Sequence, residues 1–315
     1  MREVGVKMRN SGKHSKSMIR DKKIFILLIV LIIISLAGVT MFSGGLKANI
    51  VDANAETIET ENKNTTEATE EISKEVVLDN SGYLPLEKDI NADDASIVLP
   101  ETMHKWNFNR KDGKKIVYLT FDDGPSTEVT TQILDILDRN SVKATFFVLG
   151  SSIKSNHKAP KILKHMAKSG HAIANHGYSH KYKILYPNGV IDVKAFMNDM
   201  DMNLQLLRGI LGRDFNTRVL RMPGGYGTWY GVTPLNQALK AKGYYQTDWN
   251  CLNGDAEGKP KNPQELLETL KKTMSDYDTL IVLMHDTDEK KNNVEYLQSA
   301  IDYLKSQGFE FKTLK

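Results

Sequence analysis

From residue 115 onward the chain alternates short, β-branched apolar runs with longer stretches of helical spacing, and this leaves few architectures open. The strand-like runs are 115–120, 143–149, 171–175, 218–222, 244–247, 279–284 and 309–312. Helical patterns lie near 127–139, 159–169, 191–212, 233–242, 263–275 and 291–306. The third of these shows an apolar face at Phe196, Met200, Leu204 and Leu207, spaced by four and three residues. Thr233-Pro234 and Asn262-Pro263 each place a capping residue before a proline, as helix starts do. Repeated β-α units predict an α/β fold with a parallel sheet, closed or open. In such folds the loops after the strands build one shared site.

Polar residues stand where that site should be. Lys115–Leu119 reads as a buried strand, and Thr120-Phe121-Asp122-Asp123-Gly124-Pro125 ends it sharply. Neighbouring residues at a strand end point in different directions, so one aspartate can bind a metal while the other faces substrate or water. Asp-Gly-Pro is also ordinary turn chemistry. After the run 171–175 comes His176-Gly177-Tyr178-Ser179-His180. Two imidazoles in such a loop, with one carboxylate, make a three-ligand metal site that keeps a position open for water. After 218–222 comes Arg221-Met222-Pro223-Gly224-Gly225-Tyr226-Gly227, where an arginine can hold a carboxylate and glycines let backbone N–H groups approach a ligand. Asp248-Trp249 and Asn253-Gly254-Asp255-Ala256 follow 244–247. Leu283-Met284-His285-Asp286 ends the run 279–284 and places His285 like a proton donor into a cleft. His14, His104, His157, His165 and His171 read as surface or core residues.

These elements, in this order, resemble the polysaccharide deacetylase family (NodB homology domain, carbohydrate esterase family 4), over roughly 115–314. The T-F-D-D-G-P segment followed by Ala144–Gly150 is specific; H-x-x-x-H, R-x-P-x-G and L-x-H gain force from their order. The resemblance implies a distorted seven-stranded (β/α) barrel and a metal-dependent N-deacetylase of N-acetylated sugar polymers. It implies Asp122 as general base, Asp123, His176 and His180 as metal ligands, and Arg221 as the residue orienting Asp122. It further implies His285 as general acid oriented by Asp255, Leu283 as part of the pocket for the acetyl methyl, and the Gly224 N–H as oxyanion donor. Three positions depart from the family's pattern. Gly177 replaces a Ser or Thr whose hydroxyl Ser179 could supply. Gly224 stands where an aromatic is common, and Ala256 where Trp commonly follows the aspartate; Tyr226 or Trp249 could refill that surface. The implied cofactor is a divalent metal, Zn²⁺ first, with Co²⁺, Mn²⁺, Ni²⁺ or Fe²⁺ able to suit the same ligands.

The rest of the chain bears on location. Residues 1–23 carry eight basic side chains against two acidic ones, and 24–46 carry no charge. A basic tail followed by an apolar run of that length is expected to be a cytoplasmic tail and a transmembrane signal anchor, with a cleaved signal peptide as the competing reading. Residues 47–99 hold 13 Asp and Glu against four Lys and are expected to be an acidic flexible stalk; within them, Val76–Ser96 is left open as a packing or partner segment. Residues 100–315 would then be the catalytic domain, outside the cytoplasm. Its single cysteine, Cys251, excludes an internal disulfide. Location points to peptidoglycan N-acetylglucosamine as the substrate, with chitin-like oligomers, poly-N-acetylglucosamine or acetylated xylan as alternatives. A non-catalytic glycan-binding module is the reading from another class. No basic cluster interleaved with aromatics follows the tail, so nucleic-acid binding has no support.

Overall fold

The apolar run at 115 becomes the axis of the molecule. The computed structural model describes residues 83–315. Its strands are β1 (Ala92–Asp93), β2 (Lys115–Asp122), β3 (Thr145–Val148), β4 (Ala172–Asn175), β5 (Val219–Leu220), β6 (Tyr245–Gln246), β7 (Cys251–Leu252), β8 (Thr279–His285), β9 (Phe309–Phe311) and β10 (Thr313–Leu314). The main sheet runs β6-β5-β4-β3-β2-β8-β7, with β9 on the starting half of β2, and every pairing is parallel. Strand β2 is buried at every position except its first, so both of its faces are covered.

Those two faces do different work. Side chains alternate across a strand. Val117, Leu119 and Phe121 enter the core beneath the outer helices, with Ile133, Leu137, Leu297 and Ile301. Ile116 and Tyr118 lie on the other face, in one cluster with Phe147, Val219 and Ile281. These residues come from strands far apart along the sheet path, and they can meet only because the sheet curls around them. Thr120 and Asp122 continue that inner face to the carboxyl end of the strand. Burial at 0–1% of Val117, Tyr118, Leu119 and Phe121 makes this end rigid, which a site needs.

The expected seven-stranded ring is instead an open, curled sheet of eight strands. Among the described residues no ladder joins β6 to β7. The turn between them uses its polar groups otherwise: the Asn250 side chain donates to the Thr279 carbonyl (2.9 Å) and accepts from the Ile281 N–H (2.8 Å). The Thr247 and Asp248 carbonyls accept from Arg221.

The expected acidic stalk is corrected over its last part, because residues 83–99 are folded against the sheet. Ala95 and Leu99, with Leu314, floor the inner cluster. The acidic side chains there have partners: Asp89 pairs with the buried Lys315 ammonium, Asp94 with Arg218 (2.6 Å), and Asp93 accepts from the Tyr118 hydroxyl (2.7 Å). A domain boundary at residue 100 would cut through this floor. The segments 1–23, 24–46 and 47–82 lie outside the described residues. Among the described residues no helix is long and apolar enough to cross a membrane.

Candidate active site

Strand β2 delivers both aspartates, and the backbone then separates them. Asp122 ends the inner face. Asp123 has φ +75°, a left-handed conformation that turns its carboxylate away from the strand. A non-glycine residue there costs on the order of 1–3 kcal/mol and persists only where the surroundings impose it. His180, at φ +54°, is held the same way. The two strained residues face each other: Asp123 Oδ1 lies 3.5 Å from His180 Nε2 and 3.4 Å from His176 Nε2. One ligand atom from each of the three residues falls within 4.8 Å of the others.

Three features show that this triad fits a metal. Asp123 Oδ1 is buried and has no hydrogen-bond partner among the described residues, a costly state for a carboxylate unless a cation completes it. The His176 Nδ1–H donates to the Arg221 carbonyl (2.9 Å), which leaves the lone pair on Nε2, the atom facing Asp123. Burial, then the neighbouring His176, lower the pKa of His180 and favour the neutral form that ligates. One oxygen and two imidazole nitrogens suit a divalent, zinc-like ion.

The loop carrying the two histidines is fixed from a helix remote in sequence. The Asp199 carboxylate, buried in the helix Val193–Leu211, accepts from the Tyr178 N–H (2.7 Å) and the Ser179 N–H (3.2 Å). Gly177 has φ +82°, and a Cβ there would stand 2.5 Å from Asp199 Oδ2. Asp199 therefore occupies the space a side chain at 177 would need, and it rather than the Ser179 hydroxyl steadies the loop. Ser179 Oγ accepts only from the Lys181 N–H, at 3.3 Å. Replacing Asp199 by alanine should cost about 1–3 kcal/mol, because two partly buried N–H groups lose their acceptor. Urea denaturation and metal titration of the variant would show lower stability and weaker metal binding together.

Arg221 links the two halves of the site. It is fully buried. Its Nη1 donates to Asp122 Oδ1 and Thr120 Oγ1, both at 2.8 Å, its Nε to the Thr247 carbonyl (3.3 Å) and its Nη2 to the Asp248 carbonyl (3.0 Å). Its guanidinium lies 4.2 Å from the Phe147 ring centroid. One residue thus aims Asp122 through its side chain and His176 through its carbonyl. Asp122 Oδ2 lies 3.9 Å from His176 Nε2, so Asp122 sits beside the triad without belonging to it.

Strand β8 brings the last pair. Asp122 and His285 are direct partners across β2 and β8. His285 Nδ1 hydrogen-bonds Asp255 Oδ1 (2.8 Å), and the His285 N–H donates to Asp255 Oδ2 (2.8 Å). Asn293 Nδ2 donates to the same Oδ2 (2.6 Å) and to the His285 carbonyl (2.7 Å). Burial alone would lower the His285 pKa; the Asp255 hydrogen bond and charge, with smaller help from Asp122 and Asp123, outweigh it and raise it to about 9. Burial pushes Asp255 up, but its bonds to His285 and Asn293 prevail and lower its pKa. Leu283, half-buried two residues before His285, shares the inner face of β8.

Around this centre, Gly224 is exposed and has φ +79°. Trp249 packs on Gly225, where a Cβ would come within 2.9 Å of its ring. The Tyr226 hydroxyl accepts from Asn236 (2.7 Å) and its ring packs with the cluster of Leu185 and Leu235. The structure adds Asp199, Asn293 and Asn203, whose side chain donates to the Val148 carbonyl and to Asn175 Oδ1, both at 2.9 Å; none of the three belongs to a short motif. Asp199 and Asn203 carry one signal in the sequence: they interrupt the apolar stripe of Phe196, Met200, Leu204 and Leu207 and are buried in it.

Comparison with known proteins agrees with this geometry. Residues 109–246 match the family model described as polysaccharide deacetylase. A peptidoglycan-N-acetylglucosamine deacetylase of Bacillus cereus is 30% identical over 219 residues, spanning 65% of this chain and 71% of that protein. The structure of a carbohydrate esterase family 4 (CE4) esterase from Streptococcus mutans superposes with a TM-score of 0.67 at 32% identity, covering 75% of this chain and all of that one. The catalytic domain of a peptidoglycan N-acetylglucosamine deacetylase from Eubacterium rectale superposes with a TM-score of 0.56 at 29% identity, covering 66% and 91%.

Proposed function

The chain belongs to the polysaccharide deacetylase family, hydrolases acting on amide bonds, and from that membership we propose that it removes acetyl groups from the N-acetylglucosamine of peptidoglycan. The observation that carries the chemistry is Asp123 Oδ1, without a hydrogen-bond partner among the described residues, facing two imidazole nitrogens at 3.4 and 3.5 Å, beside a second aspartate held by a buried arginine. The substrate rests on the relatives named for peptidoglycan.

Asp123, His176 and His180 would hold the metal, which we propose is zinc. When bound, such an ion acidifies a water molecule and polarises a carbonyl. Asp122 takes the proton of the attacking water. The Arg221 bond to its Oδ1 leaves Oδ2 for that proton and keeps the carboxylate aimed into the site. The Gly224 N–H donates to the oxygen that gains charge as the acetamide carbon becomes tetrahedral. His285, protonated at neutral pH and held through Nδ1 by Asp255, donates its Nε2 proton to the departing nitrogen. The C–N bond breaks and leaves acetate and a free amine. Leu283 lines the side of the site where the acetyl methyl would lie.

The test is acetate release from purified peptidoglycan by the full chain, before and after dialysis against a chelator and again after zinc is restored. Loss on chelation and recovery with zinc are expected. Unchanged release from metal-free protein would overturn the metal assignment, and no release from any N-acetylated glycan would overturn the activity. We further propose a membrane tether through 24–46, supported by the charge-free run behind a basic tail. Carbonate-washed membranes should retain the protein.

A further inference from the structure

The ground beside Gly224 is filled from outside its own segment. A Cβ on Gly224 would meet Trp229 Cζ2 at 3.0 Å and Tyr182 Oη at 3.2 Å. Tyr182 opens the short helix Tyr182–Leu185 after the histidine pair, and Trp229 comes from the turn after Gly224. Their rings are 5.1 Å apart, and the Tyr182 ring is also 5.1 Å from that of His180. Behind them the contact runs into the core: Trp229 stacks on the buried Tyr186 at 4.1 Å and 19°, and Tyr186 meets Phe196 at 6.4 Å. Trp229 is pinned in addition by its Nε1–H, which donates to the Pro223 carbonyl at 2.9 Å. The row of rings thus starts in the core and ends at Tyr182, which is 42% exposed beside a metal-site histidine.

An exposed aromatic face held rigidly at the edge of a polar site is what a pyranose recognises. One face of a chair-form hexosamine is a patch of C–H groups, and it packs on an aromatic ring while the sugar hydroxyls stay in water. The ring must be fixed in advance for the contact to help, and the Trp229–Tyr186 stack does that. Resting on the deacetylase reading above, we propose that Tyr182, backed by Trp229, is a substrate-binding residue. Its ring carries the apolar face of the N-acetylated hexosamine and sets the acetamide between the Asp123–His176–His180 group and the Gly224 N–H. Tyr182 and Trp229 together form the aromatic wall that position 224 does not supply.

The experiment is steady-state acetate release from the tetramer of N-acetylglucosamine, with bound zinc measured on each protein. Tyr182→Ala should raise KM about tenfold, the worth of one stacked ring, with kcat within about twofold of wild type and zinc content unchanged. Tyr182→Phe keeps the ring and should restore KM to within about twofold. Trp229→Ala, which removes the backing, should raise KM in the same direction. An unchanged KM in Tyr182→Ala would overturn the proposal, as would a loss of zinc or of kcat alone, since either would place Tyr182 as a support for His180. Tyr182→Phe behaving like alanine would overturn it too, by assigning the effect to the hydroxyl. A wild-type protein that releases no acetate from this tetramer or from any other N-acetylated glycan would defeat the deacetylase reading itself; an active wild type with an unaltered Tyr182→Ala defeats only the wall.

Discussion

Asp123→Ala should purify without metal and should release acetate at least about 10³-fold more slowly than wild type, because an ion held at the triad would supply several kcal/mol of transition-state stabilisation. The size of the effect follows from what Asp123 does in the fold. Among the described residues it is the one carboxylate within reach of both imidazole nitrogens, at 3.4 and 3.5 Å, and it is held in a left-handed backbone conformation to reach them. Two neutral imidazoles alone neither balance a dication's charge nor complete a three-ligand site. A second readout separates this from general damage. Zinc at 1,000 times its Kd should stabilise the wild-type protein by about 4 kcal/mol through binding linkage, and the variant by nothing measurable. Normal metal content with normal turnover in Asp123→Ala would remove the triad from the mechanism.

How far such residues show in the sequence depends on the length of the element that carries them. Strand β2 was legible because eight residues, apolar on both faces, run into the pair Asp122-Asp123. Strand β7 has two residues, too few for any periodicity, and no strand was expected between 247 and 279. The open edge between β6 and β7 has the same origin, since strands of two residues leave the turn's polar groups to side chains such as Asn250. The groups of the candidate site were legible because they follow strands. The groups that hold them were not: Asp199 and Asn293 act from helices and touch loops 21 and 38 residues away in sequence. Gly177 shows why a single position can mislead. It looked like a lost hydroxyl, yet the space is taken by Asp199, so the loop's support moved to another element. Tyr226 was a candidate for the missing aromatic surface, but the rings beside Gly224 belong to Tyr182 and Trp229, which no motif marks.

The second large effect is expected from Asp255→Asn, read as a change in pH profile. His285 ordinarily would have a pKa near 6.5; burial would lower it, and the bond to Asp255 raises it to about 9. A divalent ion at the triad offsets the smaller help from Asp122 and Asp123 but leaves the contact with Asp255 in place. The wild-type turnover should therefore hold until the pH approaches the alkaline range and then fall as His285 loses its proton. Asparagine removes the charge and also spoils the geometry. Its carbonyl must accept from the His285 N–H and Asn293, the two donors now on Oδ2, which turns its NH₂ toward His285 Nδ1. That nitrogen can then no longer donate, and the cationic imidazole is disfavoured. The basic limb should move below about 6.5, so that at pH 8 turnover falls at least about 30-fold, and less at pH 5.5 where the variant's imidazole is still partly protonated. Stability should follow the same pair. His285, raised on folding, contributes fully below about 6.5 and loses that contribution as the pH rises through about 9. Asp255, lowered on folding, contributes fully above its ordinary value of 3.8 and loses that as the pH falls. The gap in stability between wild type and Asp255→Asn should thus be widest between about pH 4 and 6.5 and narrow as the pH rises through about 9. Superimposable pH–rate profiles for the two proteins would show that His285 is not the acid.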